Sequence, residues 1–212
     1  MLRDALRYPQ RGPGWLKTVA VGSVLTLLGS VTFVPLIPVQ GYLLRVLRAT
    51  SEGRDRPPAF GDWPDLFADG ARAIAVQVAY VLVPVWLLFA GFVVAGVEAS
   101  SALGLAVTGV AGLLTIAALY LLPAALTRLA TTGRLRAAFD LRAVAAAGRR
   151  PIYVVAIVEA YVALVVVGGV GALLTVILVG AVFLFYGQVA AFSLFGRGSA
   201  EASRTAEDRG AP

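Results

Sequence analysis

The placement of charge constrains this chain more than anything else. Residues 18–44, 73–97 and 99–127 contain no Asp, Glu, Lys or Arg, and residues 151–196 contain only Glu159. Each stretch exceeds the roughly 20 apolar residues that cross a bilayer core as a helix, and the last is long enough for two crossings. Of 212 residues, 59% are hydrophobic and 14% charged, whereas an ordinary globular domain has about 45–50% apolar and about 25% charged residues. Too little polar surface remains to clothe a water-soluble domain of this size. Backbone groups in lipid must be satisfied within their own segment, and the alternation of a transmembrane barrel is missing. The expected class is all-α: a polytopic integral membrane helical bundle.

The basic residues are sorted. Residues 1–17 hold Arg3, Arg7, Arg11 and Lys17; residues 39–73 hold Arg45, Arg48, Arg54, Arg56 and Arg72. Residues 128–150 hold Arg128, Arg134, Arg136, Arg142, Arg149 and Arg150, and the tail holds Arg197, Arg204 and Arg209. These four pieces contain all 18 basic residues, and the turns expected near Glu98 and near Gly168-Gly169-Val170-Gly171 contain none. The positive-inside rule places the four basic pieces, with both termini, on the cytoplasmic side of the cytoplasmic membrane.

Five hydrophobic segments then read as three helical hairpins. The first segment must enter and return, breaking near Pro35, with Arg45 and Arg48 snorkelling to the headgroups. A competing picture has one span, an interfacial helix bent at Pro35 and Pro38, and an N-terminus outside, which leaves four positive charges on the wrong side. The basic start before an apolar stretch resembles a secretory signal. No A-x-A-like site follows it, so the segment is expected to remain as an anchor.

Two short interfacial amphipathic helices are expected. One lies within residues 57–70, with Phe60, Trp63 and Phe67 near one side; the other covers residues 128–147, with Leu135 and Phe139 four apart and Arg136 paired with Asp140. Residues 1–196 form a single transmembrane domain in this reading, and the polar tail, 197–212, is expected to be disordered.

The run Gly41-Tyr42-Leu43-Leu44-Arg45-Val46-Leu47-Arg48, then Pro57-Pro58-Ala59-Phe60-Gly61-Asp62-Trp63 and Leu66-Phe67-Ala68-Asp69-Gly70, resembles an uncharacterised haloarchaeal family of multi-pass membrane proteins, domain of unknown function 4013. Tyr8-Pro9 ahead of the first segment is similar as well. The motif covers about thirty residues, and the other helices match in pattern only. The resemblance implies a membrane location and no established catalysis.

With no cysteine and no histidine, thiolate chemistry, Cys/His metal sites and Ser-His-Asp arrangements are excluded. Lys17, the one lysine, lacks a phosphate-loop context. No cofactor and no enzymatic activity are expected.

Three groups of polar residues stand out. Glu159 lies eight residues past Pro151, about 12 Å along its helix. An ionisable group inside a span is a functional candidate because burying it is costly. Gln188 and Gln77 are the accompanying intramembrane polar candidates. Gln188 shares the depth of Glu159 if the cytoplasmic helix ends align, and does not if depth is counted from the glycine turn. The structural alternative is an interhelical hydrogen bond from Glu159 to Gln188, Tyr161, Gln77 or an arginine. Asp62, Asp65 and Asp69, at i, i+3 and i+7, form an acidic face. It either holds Mg²⁺ or Ca²⁺ or pairs with the nearby arginines while Asp62 caps a helix. Arg45, Arg48, Arg134, Arg136, Arg149 and Arg150 are expected to contact lipid headgroups.

Small residues at four-residue spacing (Gly22, Thr26 and Ser30; Gly91 and Ala95; Ala156 and Ala160) suit close helix packing, and Pro84 is expected to kink its span. The leading expectation is a non-catalytic scaffold, assembly or lipid-organising protein. Its partners would be anionic lipids, a second copy or another membrane protein, and not nucleic acid. A proton- or ion-coupled channel using Glu159 comes second, and a metal-dependent membrane enzyme third.

Overall fold

The computed structural model describes residues 2–12, 14–29, 32–97, 102–174 and 179–210, and among these every regular element is helical. The helices are α1 (Leu2–Arg7), α2 (Trp15–Gly29), α3 (Leu36–Ser51), α4 (Trp63–Val97), α5 (Ala102–Thr132), α6 (Leu135–Ala138), α7 (Leu141–Gly148), α8 (Pro151–Leu174) and α9 (Val179–Gly210); a 3-10 turn, Tyr8–Gln10, follows α1.

Sequence chemistry explains the boundaries. Gly133 takes a φ of +68°, and its N–H donates to the Leu129 carbonyl at 2.8 Å, a left-handed glycine cap that stops α5. Asp140 starts α7, its carboxylate accepting the Ala143 N–H at 3.2 Å. In α2 the hydroxyls of Ser23 and Thr26 donate back to the carbonyls of Val19 and Gly22, which satisfies them inside an apolar helix. The expected break near Pro35 is present: α2 ends at Gly29 and α3 begins at Leu36, behind Pro35.

Helix α3 is the centre. Pro38, Val39, Gly41, Tyr42, Leu43, Leu44, Val46, Leu47, Ala49 and Thr50 are all buried, and α2, α4, α5 and α9 surround it. Gly41 lies against the Leu66 carbonyl and Gly70 against the Ile37 carbonyl, so α3 and α4 cross in opposite directions. Tyr42 meets the Phe185 ring at 5.7 Å while Gly196 rests on Leu47 and Thr50, so α3 and α9 run the same way. Val167 meets Gly187 and Ala156 meets Gly198, making α8 and α9 antiparallel.

Beyond its crossing with α3, α4 continues from Gly70 to Val97, about 40 Å of helix, and packs along α5, with Gly91 against Thr108. The outer surface of this pair is apolar and bare: Val83, Trp86, Phe89 and Phe92 on α4, and Leu103, Leu113 and Ile116 on α5, are more than half exposed. Among the described residues three helical stretches, Trp63–Val93, Ala102–Thr132 and Pro151–Gly169, are long and apolar enough to cross a membrane. An all-helical fold with such unclothed apolar helices suggests a membrane location.

Several local expectations are corrected. Gly168, Gly169, Val170 and Gly171 do not form a turn, because α8 runs through them to Leu174; glycine is common in membrane helices, where it serves packing. The turn expected near Glu98 falls outside the described residues. Residues 57–70 do not hold a separate short helix: the chain is irregular through 57–62, and Trp63 opens α4 itself. Residues 128–147 are three pieces, the end of α5, α6 and most of α7. Asp140 pairs with Arg128 at 3.3 Å instead of Arg136. The tail continues as helix through Gly210, so no break in secondary structure falls at 197. Apart from these corrections, Pro84 lies inside α4 and Pro123 inside α5.

Candidate functional site

At the end of the bundle where α3 finishes, the connecting pieces are fastened to one another. The Tyr8 hydroxyl donates to the Arg56 carbonyl at 3.1 Å. Arg11 pairs with Asp4 at 2.9 Å and with Asp55 at 3.6 Å. Arg197 of α9 reaches the same Asp55 carboxylate at 3.7 Å and lies over the Tyr8 ring, 5.4 Å from its centroid. Arg48 donates through Nε to the Ala130 carbonyl at the end of α5, and Thr127 and Ser199 hydroxyls meet at 3.2 Å. Residues from all four basic pieces therefore share one end of the molecule. Burial raises the Tyr8 phenol to about 12, although Arg197, Arg54 and Arg11 pull against that shift.

Between α3 and the first turns of α4 this end opens into a cleft of about 450 Å³ lined by Arg45, Arg48, Arg54, Pro58, Asp65, Ala68, Asp69 and Arg72. Its floor is an ion-paired node. Asp69, only 8% exposed, sits 3.2 Å from Arg72 Nη1 and 3.8 Å from Arg45 Nε. Arg45 also donates to the carbonyls of Gly61 at 2.9 Å and Asp62 at 3.4 Å, so its guanidinium is occupied in tying the 57–62 segment to α3. Phe60 of that segment stacks on Tyr42 at 4.2 Å, a contact of about 0.5–1.5 kcal/mol beyond its burial. Phe60 is thus drawn into the protein, while Trp63 and Phe67 stay partly exposed.

The acidic face does not assemble. Asp62 precedes α4 with a φ of 51°, and its carbonyl accepts the Leu66 N–H at 3.0 Å. Asp69 is committed to two arginines, and among the described residues no group of three or more acidic side chains stands together to hold a metal. Arg134, Arg136 and Arg149 are exposed and Arg150 half-buried, outside the cleft. Arg54 and Arg72, seen from sequence only as pairing candidates for the aspartates, line it. Their shared position depends on the crossing of α3 and α4, for which Gly41 and Gly70 were the available signal.

The intramembrane polar residues are dispersed. The α8–α9 contacts at Ala156–Gly198 and Val167–Gly187 place Glu159 level with the region of Phe195 and Gln188 level with that of Val166, so the two do not share a depth. Gln77 donates to Gln40 at 2.9 Å, and Tyr161 to the Leu119 carbonyl at 2.8 Å. None of the expected hydrogen bonds to Glu159 forms. Its Oε2 and the Gln188 Oε1 are buried without a hydrogen-bond partner.

Fold and site together define an all-helical protein with membrane-capable helices and an arginine-rich end. The chain belongs to the family described as Protein of unknown function (DUF4013), whose model matches residues 24–194. That stretch includes the cleft and Glu159, and leaves out α1 and the end of α9. No curated protein and no solved structure matches the chain.

Proposed function

We propose that this protein is a non-catalytic scaffold or lipid-organising factor of the cytoplasmic membrane. Its arginine-bearing end lies on the cytoplasmic leaflet, and both termini are cytoplasmic. In this reading α2 and α3, α4 and α5, and α8 and α9 are three hairpins, each returning to that end. The observation that carries the proposal is the fastening of all four basic pieces at one end, through Tyr8–Arg56, Arg11–Asp55–Arg197 and Arg48–Ala130. A concentration of arginine beside apolar helices attracts anionic lipid, at about 1 kcal/mol per residue near the surface.

Native mass spectrometry of protein extracted gently from mixed phosphatidylglycerol and phosphatidylcholine membranes tests this. Retained lipid enriched in phosphatidylglycerol is expected; retention in proportion to the membrane mixture contradicts the proposal.

A second reading, an ion or proton path through Glu159, draws on the buried, unpartnered Oε2 of that residue. In sealed vesicles it requires pH-dependent flux that Glu159→Gln abolishes. The scaffold reading requires no flux in either protein.

A further inference from the structure

We infer that the cleft between α3 and α4 is a binding site for a doubly charged phosphate group, of the kind a phosphomonoester lipid headgroup carries. The inference rests on the reading that the basic end faces anionic lipid, and it assigns to one cleft what that reading gives to the whole end.

The charge count comes first. Four arginines against Asp65 and Asp69 in the lining, with Glu52 paired to Arg54 at the exposed edge, leave one positive charge in excess while that pair holds and two once Arg54 turns from Glu52 to a bound phosphate, the second matching a phosphate dianion. Donor geometry comes second. Arg45 engages a protein acceptor at each of its three nitrogens, namely Asp69 and the carbonyls of Gly61 and Asp62, so it is a positioning residue. Arg48 uses only its Nε, on the Ala130 carbonyl, which leaves both Nη groups without a protein hydrogen bond among the described residues. Arg72 uses one Nη on Asp69. Arg54 is paired with Glu52 across an exposed surface, 58% and 49% accessible, where such a pair holds little energy and yields readily to a stronger acceptor.

Three guanidinium groups with uncommitted N–H donors thus line one cavity. Planar guanidinium forks match phosphate oxygens two at a time, which is why arginine predominates where phosphate is bound bidentately. At about 450 Å³ the cavity accepts the phosphate together with the polar group that carries it. Arg134, just before α6, Arg136, on α6, and Arg142, on α7, are by contrast exposed and outside the cleft lining.

The test uses the full chain in phosphatidylcholine nanodiscs with phosphatidic acid or phosphatidylglycerol, and inorganic phosphate as the soluble arm. Wild type is expected to retain phosphatidic acid several-fold over phosphatidylglycerol. Arg54→Gln/Arg72→Gln should reduce that retention about tenfold. Because Arg72 also partners the buried Asp69, retention is read well below the variant's own melting temperature, with Arg54→Gln alone giving a smaller loss at an unchanged melting temperature. Arg48→Gln should act in the same direction. Arg136→Gln/Arg142→Gln removes the same charge elsewhere and should leave retention unchanged.

Competition by millimolar inorganic phosphate supports a phosphate site. Binding of inorganic phosphate in the cleft without lipid retention also supports the site, but assigns it to a soluble phosphate and overturns the lipid reading. Equal losses in the cleft and control variants overturn the site while leaving the lipid reading intact. Absence of anionic-lipid retention and of phosphate binding by wild type overturns both.

Discussion

Gly41 of α3 and Gly70 of α4 meet backbone to backbone. The space a side chain at Gly41 would need is held by the Leu66 carbonyl, and that at Gly70 by the Ile37 carbonyl. This contact sets how closely the central helix approaches the first turns of α4, and so it shapes the cleft. Because the obstructing atoms are backbone, they cannot swing aside. Gly70→Ala should cost about 3 kcal/mol, at the upper end of ordinary overpacking. Gly109→Ala and Gly112→Ala on α5, where nothing stands within 4 Å, should not destabilise. Thermal unfolding in one detergent compares the three; an unchanged midpoint for Gly70→Ala would contradict the crossing.

The protein should respond unequally to loss of a cleft arginine that holds Asp69 and of one that does not. Removing Arg45 strips one partner from a buried carboxylate and releases the Gly61 and Asp62 carbonyls, so Arg45→Gln should cost about 3 kcal/mol. Arg54→Gln breaks only an exposed pair and should cost less than about 1 kcal/mol. Comparable losses in denaturant titrations would show that Arg45 does not hold the 57–62 segment.

Tyr8 gives a pH dependence whose sign is fixed. Its phenol is raised from 10.0 to about 12 in the folded protein, so the unfolded chain loses this proton first. The contribution of Tyr8 to stability is fully present below pH 10 and is lost as pH rises through about 12. Protease cutting after Arg7 or Arg11 should accelerate across that window, and Tyr8→Phe should flatten the response. A wild-type profile that is flat from pH 10 to 12 would mean that Tyr8 is not docked.

Glu159 bears on stability independently of flux. A buried carboxyl oxygen without a hydrogen-bond partner is destabilising by about 1–3 kcal/mol, so Glu159→Leu should raise the unfolding midpoint. A fall would reveal a hydrogen bond or charge contact that the side chain makes in the membrane.

Much of the architecture was legible because hydropathy is local. Charge-free runs became helices, and the break before Leu36 falls where Pro35 signals it. Relations between distant segments were not legible in the same way. The glycines at 168–171 signal a turn by composition, yet inside a packed hairpin Gly168 and Gly169 simply continue α8, and Gly187 uses the room of a missing side chain against Val167. The choice of Arg128 over Arg136 by Asp140 depends on the cap at Gly133 redirecting the chain. The cleft needed the α3–α4 crossing to gather Arg48, Arg54 and Arg72, and Asp55 joins Arg11 to Arg197 only once α1 folds back onto α9.

The central claim is that all four basic pieces face one compartment, and side-specific labelling tests it most directly. The natural chain has no cysteine, so single cysteines at positions 4, 52, 136 and 203 can each be probed in sealed, oriented vesicles with a membrane-impermeant thiol reagent. The account predicts that all four react from the cytoplasmic side alone. Labelling of position 4 from the opposite side to position 52 would contradict it.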